Sequence, residues 1–359
     1  MPMRIFKNTN GYTIIELMIS IVIGMMLIAA ASATYIAQNR SFTAQDSVSE
    51  VNTQSKIAHD LVSNFIKSAG FGVALDMSTE PVNGYTQKIT PIDSSSGPDA
   101  ITVVGGFRWV GSLWPTGATP GTTTCAAPPA LPTSVPQNAL NVQIIYNSDL
   151  RPNEGPNMTD RSFLSIDGID FVEVSSCSVG ANGNCGAAVI LSNPLTQDFP
   201  LQDTTLVPDG ICNVGRPVYL VENITFCVNT VDNTLRRIAR TTPAGAASCT
   251  GITTSIDEVM ADNVEDLQLA YALDTDGDGE ADDPGSDGLA NDFVSGGSVA
   301  DASTIKAVRV NVLARTDRPD PQYTNLGSRP TVIENYTQPV VIDSFRRRWW
   351  QTIVSVRNN

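Results

Sequence analysis

The chain has 359 residues, 42% of them hydrophobic, and a formal net charge of −15. That is ample apolar material for one large or two small domains, and the acidity argues against a nucleic-acid-binding chain. The charge is local: between Arg240 and Lys306 there are fourteen Asp or Glu residues and no Lys or Arg, leaving −1 for the remainder.

Only one apolar run, Leu17 to Ala37, reaches membrane length, at roughly 20 residues per crossing. Ahead of it stand Arg4 and Lys7, then Gly11, Tyr12 and Glu16. An unpaired carboxylate carried to the bilayer centre costs on the order of 2.5–3.5 kcal/mol, so Glu16 calls for a partner. The basic leader favours the cytoplasm and sends everything after the run outward. Two plainer readings stand beside this one. Ala31-Ser32-Ala33 suits an ordinary signal peptidase, which would release a soluble protein, and a simple single-pass anchor needs no role for Glu16.

From Tyr12 to Ala69 there is no proline and one glycine, Gly24. Ala44, Val48, Val51, Ala58, Val62, Phe65 and Ala69 recur at helical spacing, with Ser55 filling a gap. Gly70 sits where a helix closes in a left-handed cap. The pattern predicts a single helix over 12–70, apolar all round at first and one-sided later.

After Gly72 the pattern turns to short β-like runs. Strands are expected at 100–104, 141–146, 171–174, 217–221 and 223–228. A hairpin about Asp232-Asn233 leads to 235–238, and further strands fall at 264–271, 305–314 and near the C-terminus. The Pro-, Thr- and Gly-rich stretch 111–138 reads as a long loop. Six cysteines, Cys125, Cys177, Cys185, Cys212, Cys227 and Cys249, lie in the outward part, where an oxidising compartment favours disulfides. Cys177 with Cys185 is the best single pairing, because Gly and Asn residues between them permit a tight return. Metal ligation is the weaker reading, since there is no C-x-x-C and the sole histidine, His59, is remote.

Asp274, Asp276, Asp278, Glu280 and Asp282 concentrate carboxylates around Gly277 and Gly279. Asp274, Asp276, Asp278, Gly279 and Asp282 match the first, third, fifth, sixth and ninth positions of an EF-hand loop. The twelfth is Gly285 rather than Glu, and no flanking helix pair is evident. The expectation is a short Ca²⁺ loop outside an EF-hand, with Asp283 or Asp287 as a further ligand; the plain alternative is a solvated acidic turn. Arg346, Arg347, Arg348, Trp349 and Trp350 suit single-stranded nucleic acid in type. A terminal strand with Trp350, Thr352, Val354 and Val356 on one face is the preferred reading.

A short basic leader ending in Gly11, an aromatic Tyr12 and an acid five residues into the apolar helix resemble the class III signal of type IV prepilins. The phrases FIKSAGFG, NVEDLQLAYALDTDGDG, VRVNVLAR and RRRWWQTIVSVRN resemble the PilW group of minor pilins. The likeness covers about half the chain; residues 75–210 match nothing in it. It implies an α+β, pilin-like fold: a leader (1–11), a long helix (12–70) and an antiparallel β-rich head (71–359). It also implies that a prepilin peptidase cuts after Gly11 and that Tyr12 becomes the methylated N-terminus, although the family usually starts with Phe. Glu16 would pair with a neighbouring subunit's terminal amine. The implied partners are that peptidase, other minor and major pilins and a tip adhesin. The implied route runs from the inner membrane, with the head in the periplasm, to a pilus on the cell surface.

No nucleophile elbow, P-loop, dinucleotide fingerprint or H-E-x-x-H is present, so no enzyme is expected. His59 should lie on the partly solvated face of the helix. The reading is a minor pilin that helps initiate or cap pilus assembly. Alternatives are a pseudopilin of a type II secretion system and a membrane-tethered secreted enzyme.

Overall fold

The computed structural model describes residues 13–74, 76–114, 134–145, 162–179, 185–200, 202–203, 213–243, 249, 256–282, 293–320, 323 and 330–357. It divides into two units, 1–50 and 51–359. One helix, α1 (Ile14–Ser68), contributes to both.

As far as Ala37 α1 is apolar on every side, and Ile14, Leu17, Ile21 and Leu27 are all exposed. No described residue of the first unit covers them, so this stretch needs a non-aqueous surrounding. Four of the unit's hydroxyls are already satisfied. Ser20, Thr34, Thr43 and Ser47 each donate to the carbonyl four residues back, removing the cost of a bare polar group in an apolar medium.

In the second unit α1 becomes one-sided. Val51, Ser55, Ala58, Val62 and Ala69 of the predicted stripe are buried, and Phe65 is half-covered between Phe107 and Phe226. Ile66, outside the stripe, is fully buried as well. Gly70 follows at φ 78°, the left-handed geometry that its position suggested.

The α+β class and the antiparallel head are both present. Two sheets share the C-terminal part of α1. The nine-stranded sheet runs in the order Ile89–Ile92, Ala100–Trp114, Asn141–Ile145, Cys185–Leu191, Asp170–Val179, Phe163–Ile166, Arg216–Asn229, Thr234–Ala239, Ile256–Ala261. The four-stranded sheet runs Val294–Ser295, Val264–Leu273, Ile305–Arg315, Arg347–Ser355. Ala58, Val62, Ile66 and Ala69 join one core with Ile101, Ile224 and Phe226 of the first sheet and Leu267, Leu269, Val310 and Val354 of the second. Each fully buried Val, Leu, Ile or Phe there contributes about 1.5–3 kcal/mol. Asp99 ties the sheets together: its backbone N–H donates to Leu267 O and its carboxylate accepts from Leu269 N.

Ala100–Trp114 also pairs directly with Arg216–Asn229. Six strands therefore close on themselves as a small barrel, filled by Val110, Leu113, Ile144, Leu164, Ile166, Val189 and Leu220 among others. Register shifts at Val218/Tyr219 and Leu220/Val221 turn the shared strands from the helix-backed sheet into the barrel. Much of the stretch 75–210, unmatched in sequence, builds this barrel.

Two expectations are corrected here. Residues 217–221 and 223–228 form one strand, because the polar break between them is paired. Asn223 donates to Thr241 and accepts from Asn83, and Glu222 lies 3.6 Å from Arg240. The expected loop from 111 begins later. Gly111, Ser112 and Leu113 continue the strand by pairing with Val218, Pro217 and Arg216. Disulfides join Cys177 to Cys185 and Cys227 to Cys249. Cys125 and Cys212 lie outside the described residues.

The end of α1 approaches the Ala100–Trp114 strand at backbone distance. Gly70 N donates to Val104 O and Gly106 N to Phe71 O, both at 2.8 Å. A Cβ on Gly105 would stand 2.9 Å from the Ser68 carbonyl oxygen. Gly105→Ala is therefore expected to cost about 1–3 kcal/mol by overpacking, read as a lower thermal midpoint of the full chain in detergent. An unchanged midpoint means that helix and strand are not held at this separation.

Burial raises the Asp99 carboxyl from 3.8 to about 7, with Asp93 and Asp266 adding to it against two backbone donors. The folded state then binds a proton that the unfolded chain has released, so stability falls as pH rises through that window. Asp99→Asn should flatten this fall in urea unfolding, and a slope equal to the parent's would contradict the account.

Candidate functional site

Thr13 precedes the first turn of α1, and Glu16 stands three residues on. The Glu16 carboxylate oxygen Oε2 accepts from Thr13 N (3.0 Å) and from Thr13 Oγ1 (3.1 Å), while Glu16 N donates to Thr13 Oγ1 (3.3 Å). This is a reciprocal capping box, and T-x-x-E before an apolar run is its sequence signature. Thr13 is thus a functional residue that the sequence reading passed over. Both carboxylate bonds use Oε2, so Oε1 stays available to a second donor. Gly11 and Tyr12 lie outside the described residues.

The acidic loop leaves the Val264–Leu273 strand at Asp274, which is buried. Its oxygens accept from Gly277 N (2.7 Å) and Gly279 N (3.0 Å), and Lys306 Nζ lies 3.1 Å away. Gly277 and Gly279 take φ of 82° and 93°, which only glycine adopts without strain. Asp282 accepts from Thr275 N and Oγ1. Carboxylate oxygens of Asp274, Asp276 and Asp282 come within 4.8 Å of one another. Asp278 and Glu280 do not join them; both are exposed, and Asp278 accepts from Glu280 N. Asp283 and Asp287 lie outside the described residues.

Desolvation alone would raise the Asp274 carboxyl, but the Lys306 ammonium and the two glycine N–H groups outweigh it and hold it below the ordinary aspartate value. The donor set suits a hard cation in type. Three converging carboxylates supply fewer than the six to eight oxygens usual for Ca²⁺, so the remaining ligands would come from backbone and water. Lys306 is the positive charge that such an ion would displace.

The terminal arginines are largely consumed. Arg346 pairs with Asp320 at 2.8 Å over the Tyr323 ring. Arg347 is buried between Glu265 and Asp343, at 2.7 Å from each. Val354 faces the core, and Trp350 packs 6.5 Å from His59, which is mostly covered rather than solvated. The strand reading of this segment stands. A cleft of about 450 Å³ beside the end of α1 is lined by Phe65, Lys67, Phe71, Phe107 and Arg357.

Comparison with known proteins gives two family matches. Residues 225–358 match the family described as Type IV Pilus-assembly protein W. Residues 6–32 match the prokaryotic N-terminal methylation motif. No curated protein matches. Among solved structures, a type IV-like pilin from Thermus thermophilus is similar over 86% of this chain and 95% of its own, at 11% identity and a TM-score of 0.31. The assignment rests on the family matches and not on that likeness. The first match contains the four-stranded sheet, and the second contains the capping box and most of the apolar run that follows it. The chain thus joins an N-terminal methylation motif over residues 6–32 to a PilW-family domain over residues 225–358.

Proposed function

We propose that this pilin helps to initiate or cap the assembly of a type IV pilus. Its helix would anchor it in the inner membrane, with the head in the periplasm, until it enters the fibre. The observation that carries the reading is the N-terminal constellation: a methylation motif, a helix apolar on all sides and a capping box that leaves Oε1 of Glu16 available.

Prepilin peptidase cuts after Gly11, and Tyr12 becomes the methylated N-terminus. In the apolar fibre core the Glu16 carboxylate then meets the terminal amine of a neighbouring subunit. Two unit charges about 4 Å apart at an effective dielectric near 20 attract by about 4 kcal/mol. The cap is worth about 0.5–2 kcal/mol. The amine therefore wins any competition, and Oε2 on Thr13 need not be surrendered. The contact sets the helix's register in the fibre, while the head meets other minor pilins and a tip adhesin.

Glu16→Ala should leave the protein processed and membrane-bound yet unable to restore surface pili to a deletion strain. Normal piliation by this variant removes the assembly role of the carboxylate. Scoring secretion in the same deletion strain separates a secretion pseudopilin, which shares the N-terminal signal. Lost secretion with normal pili overturns the pilus assignment.

The acidic loop belongs to the same reading as a Ca²⁺ site that stiffens the link between strands Val264–Leu273 and Ile305–Arg315. Support comes from the convergence of Asp274, Asp276 and Asp282 at loop positions one, three and nine. Calorimetry with millimolar Ca²⁺ should give heat with the parent and none with Asp274→Asn. A silent titration of the parent ends the calcium reading.

A further inference from the structure

Sheet edges present unpaired backbone groups, and proteins blunt them with short strands, prolines, charges or bulges. Among the described residues the two larger sheets have four edges, and three of them are blunted. Ile89–Ile92 is four residues long and contains Pro91. Ile256–Ala261 carries Asp257 and Glu258 and has a register shift against its neighbour. Val294–Ser295 is two residues long.

The fourth, Arg347–Ser355, carries charge only at its Arg347–Arg348 end, and from Trp349 onward it has none of these devices. It runs nine residues without proline or lysine, and its pairing with Ile305–Arg315 continues from end to end without a shift. Thr316 N donates to Arg346 O and Val356 N to Lys306 O, which marks the even-numbered residues as those bonded to the neighbouring strand. By the alternation of an antiparallel ladder, the N–H and C=O groups of Trp349, Gln351 and Ile353 point out of the open edge. Side chains of Trp349 and Ile353 are 43% and 58% exposed beside them.

Charge says what would pair there. Arg309, Arg315, Arg346 and Arg347 each have a carboxylate partner. Arg348 and Arg357, exposed at the two ends of this strand, make no ion pair among the described residues. A second copy does not supply the missing acids through the edge. Antiparallel self-pairing about Gln351 sets Arg348 against Val354 and leaves both arginines uncompensated.

We infer that the open Arg347–Ser355 edge takes a β-strand from the head of a different, neighbouring pilin, apolar at its centre and acidic at its ends. Strand addition of this kind draws affinity from main-chain bonds and specificity from alternate side chains. The inference rests on the assembly reading above.

Hydrogen–deuterium exchange of the full-length chain in detergent, alone and in the complex purified after co-expression with the pilins of its own assembly, tests it. Within 347–355 the outward amides of Trp349, Gln351 and Ile353 should exchange fast in the chain alone and about tenfold or more slowly in the complex. Gln351→Pro removes one outward N–H without touching the ladder to Ile305–Arg315. Arg348→Glu with Arg357→Glu keeps the backbone intact. Both variants should keep the parent's thermal midpoint and lose about tenfold of their recovery in the complex. The inference is overturned by fast exchange of the Trp349, Gln351 and Ile353 amides inside the complex, by normal recovery of the charge-reversed variant, or by protection of those three amides in the chain alone, where its own residues or a second copy would cover the edge. A parent that enters no complex overturns the assembly reading and this inference together, whereas fast exchange inside a normal complex overturns the edge alone.

Discussion

The packing of the last turns of α1 against two sheets at once is the constraint on which the head depends. Ala58, Val62, Ile66 and Ala69 reach both sheets because they lie on a single face, with small residues at either end of a branched pair. The backbone bonds of Gly70 and Gly106, and the empty Cβ position of Gly105, let the helix end settle onto a strand rather than above it. The same helix, in residues 14–50, has no such partner among the described residues of its own unit. A sequence that switches from all-round to one-sided apolarity thus specifies two surroundings, one supplied by the chain and one that must come from lipid or from other helices.

The head's polar chemistry follows a similar division. Buried charges occur where a partner is built in: Arg347 between Glu265 and Asp343, and Asp274 with Lys306 and two glycine N–H groups. Breaking one side of such a pair is costly, so these contacts hold the terminal strand and the acidic loop in place. What stays uncompensated is informative by contrast. Among the described residues Arg348 and Arg357 make no ion pair and flank a sheet edge that no strand covers, and Oε1 of Glu16 lies at the start of an apolar helix. Both are groups suited to contacts between subunits.

Much of this was legible in the residues. Helical spacing located α1, Gly70 its end, and period-two alternation the strands at 264–271 and 305–314, because each depends on local chemistry. The barrel was not legible. Its closure depends on Ala100–Trp114 pairing with Arg216–Asn229, more than a hundred residues away, and on polar Glu222 and Asn223 being paired inside rather than marking a break. Of the acidic loop, spacing identified the segment but not which carboxylates converge. Backbone N–H groups and Lys306 decide that, and they draw Asp274 inward while Asp278 and Glu280 stay out. Thr13 was missed for a simpler reason: its signal, T-x-x-E, overlaps the more conspicuous glycine and acid.

The central claim is that α1 leaves the membrane for a fibre with Tyr12 at its head. Mass spectrometry of the N-terminal peptide from pili sheared off the cell surface tests this most directly. The account predicts a methylated Tyr12 terminus in the fibre fraction. A terminus near Thr34, or a chain found only in the membrane with its leader attached, would contradict it.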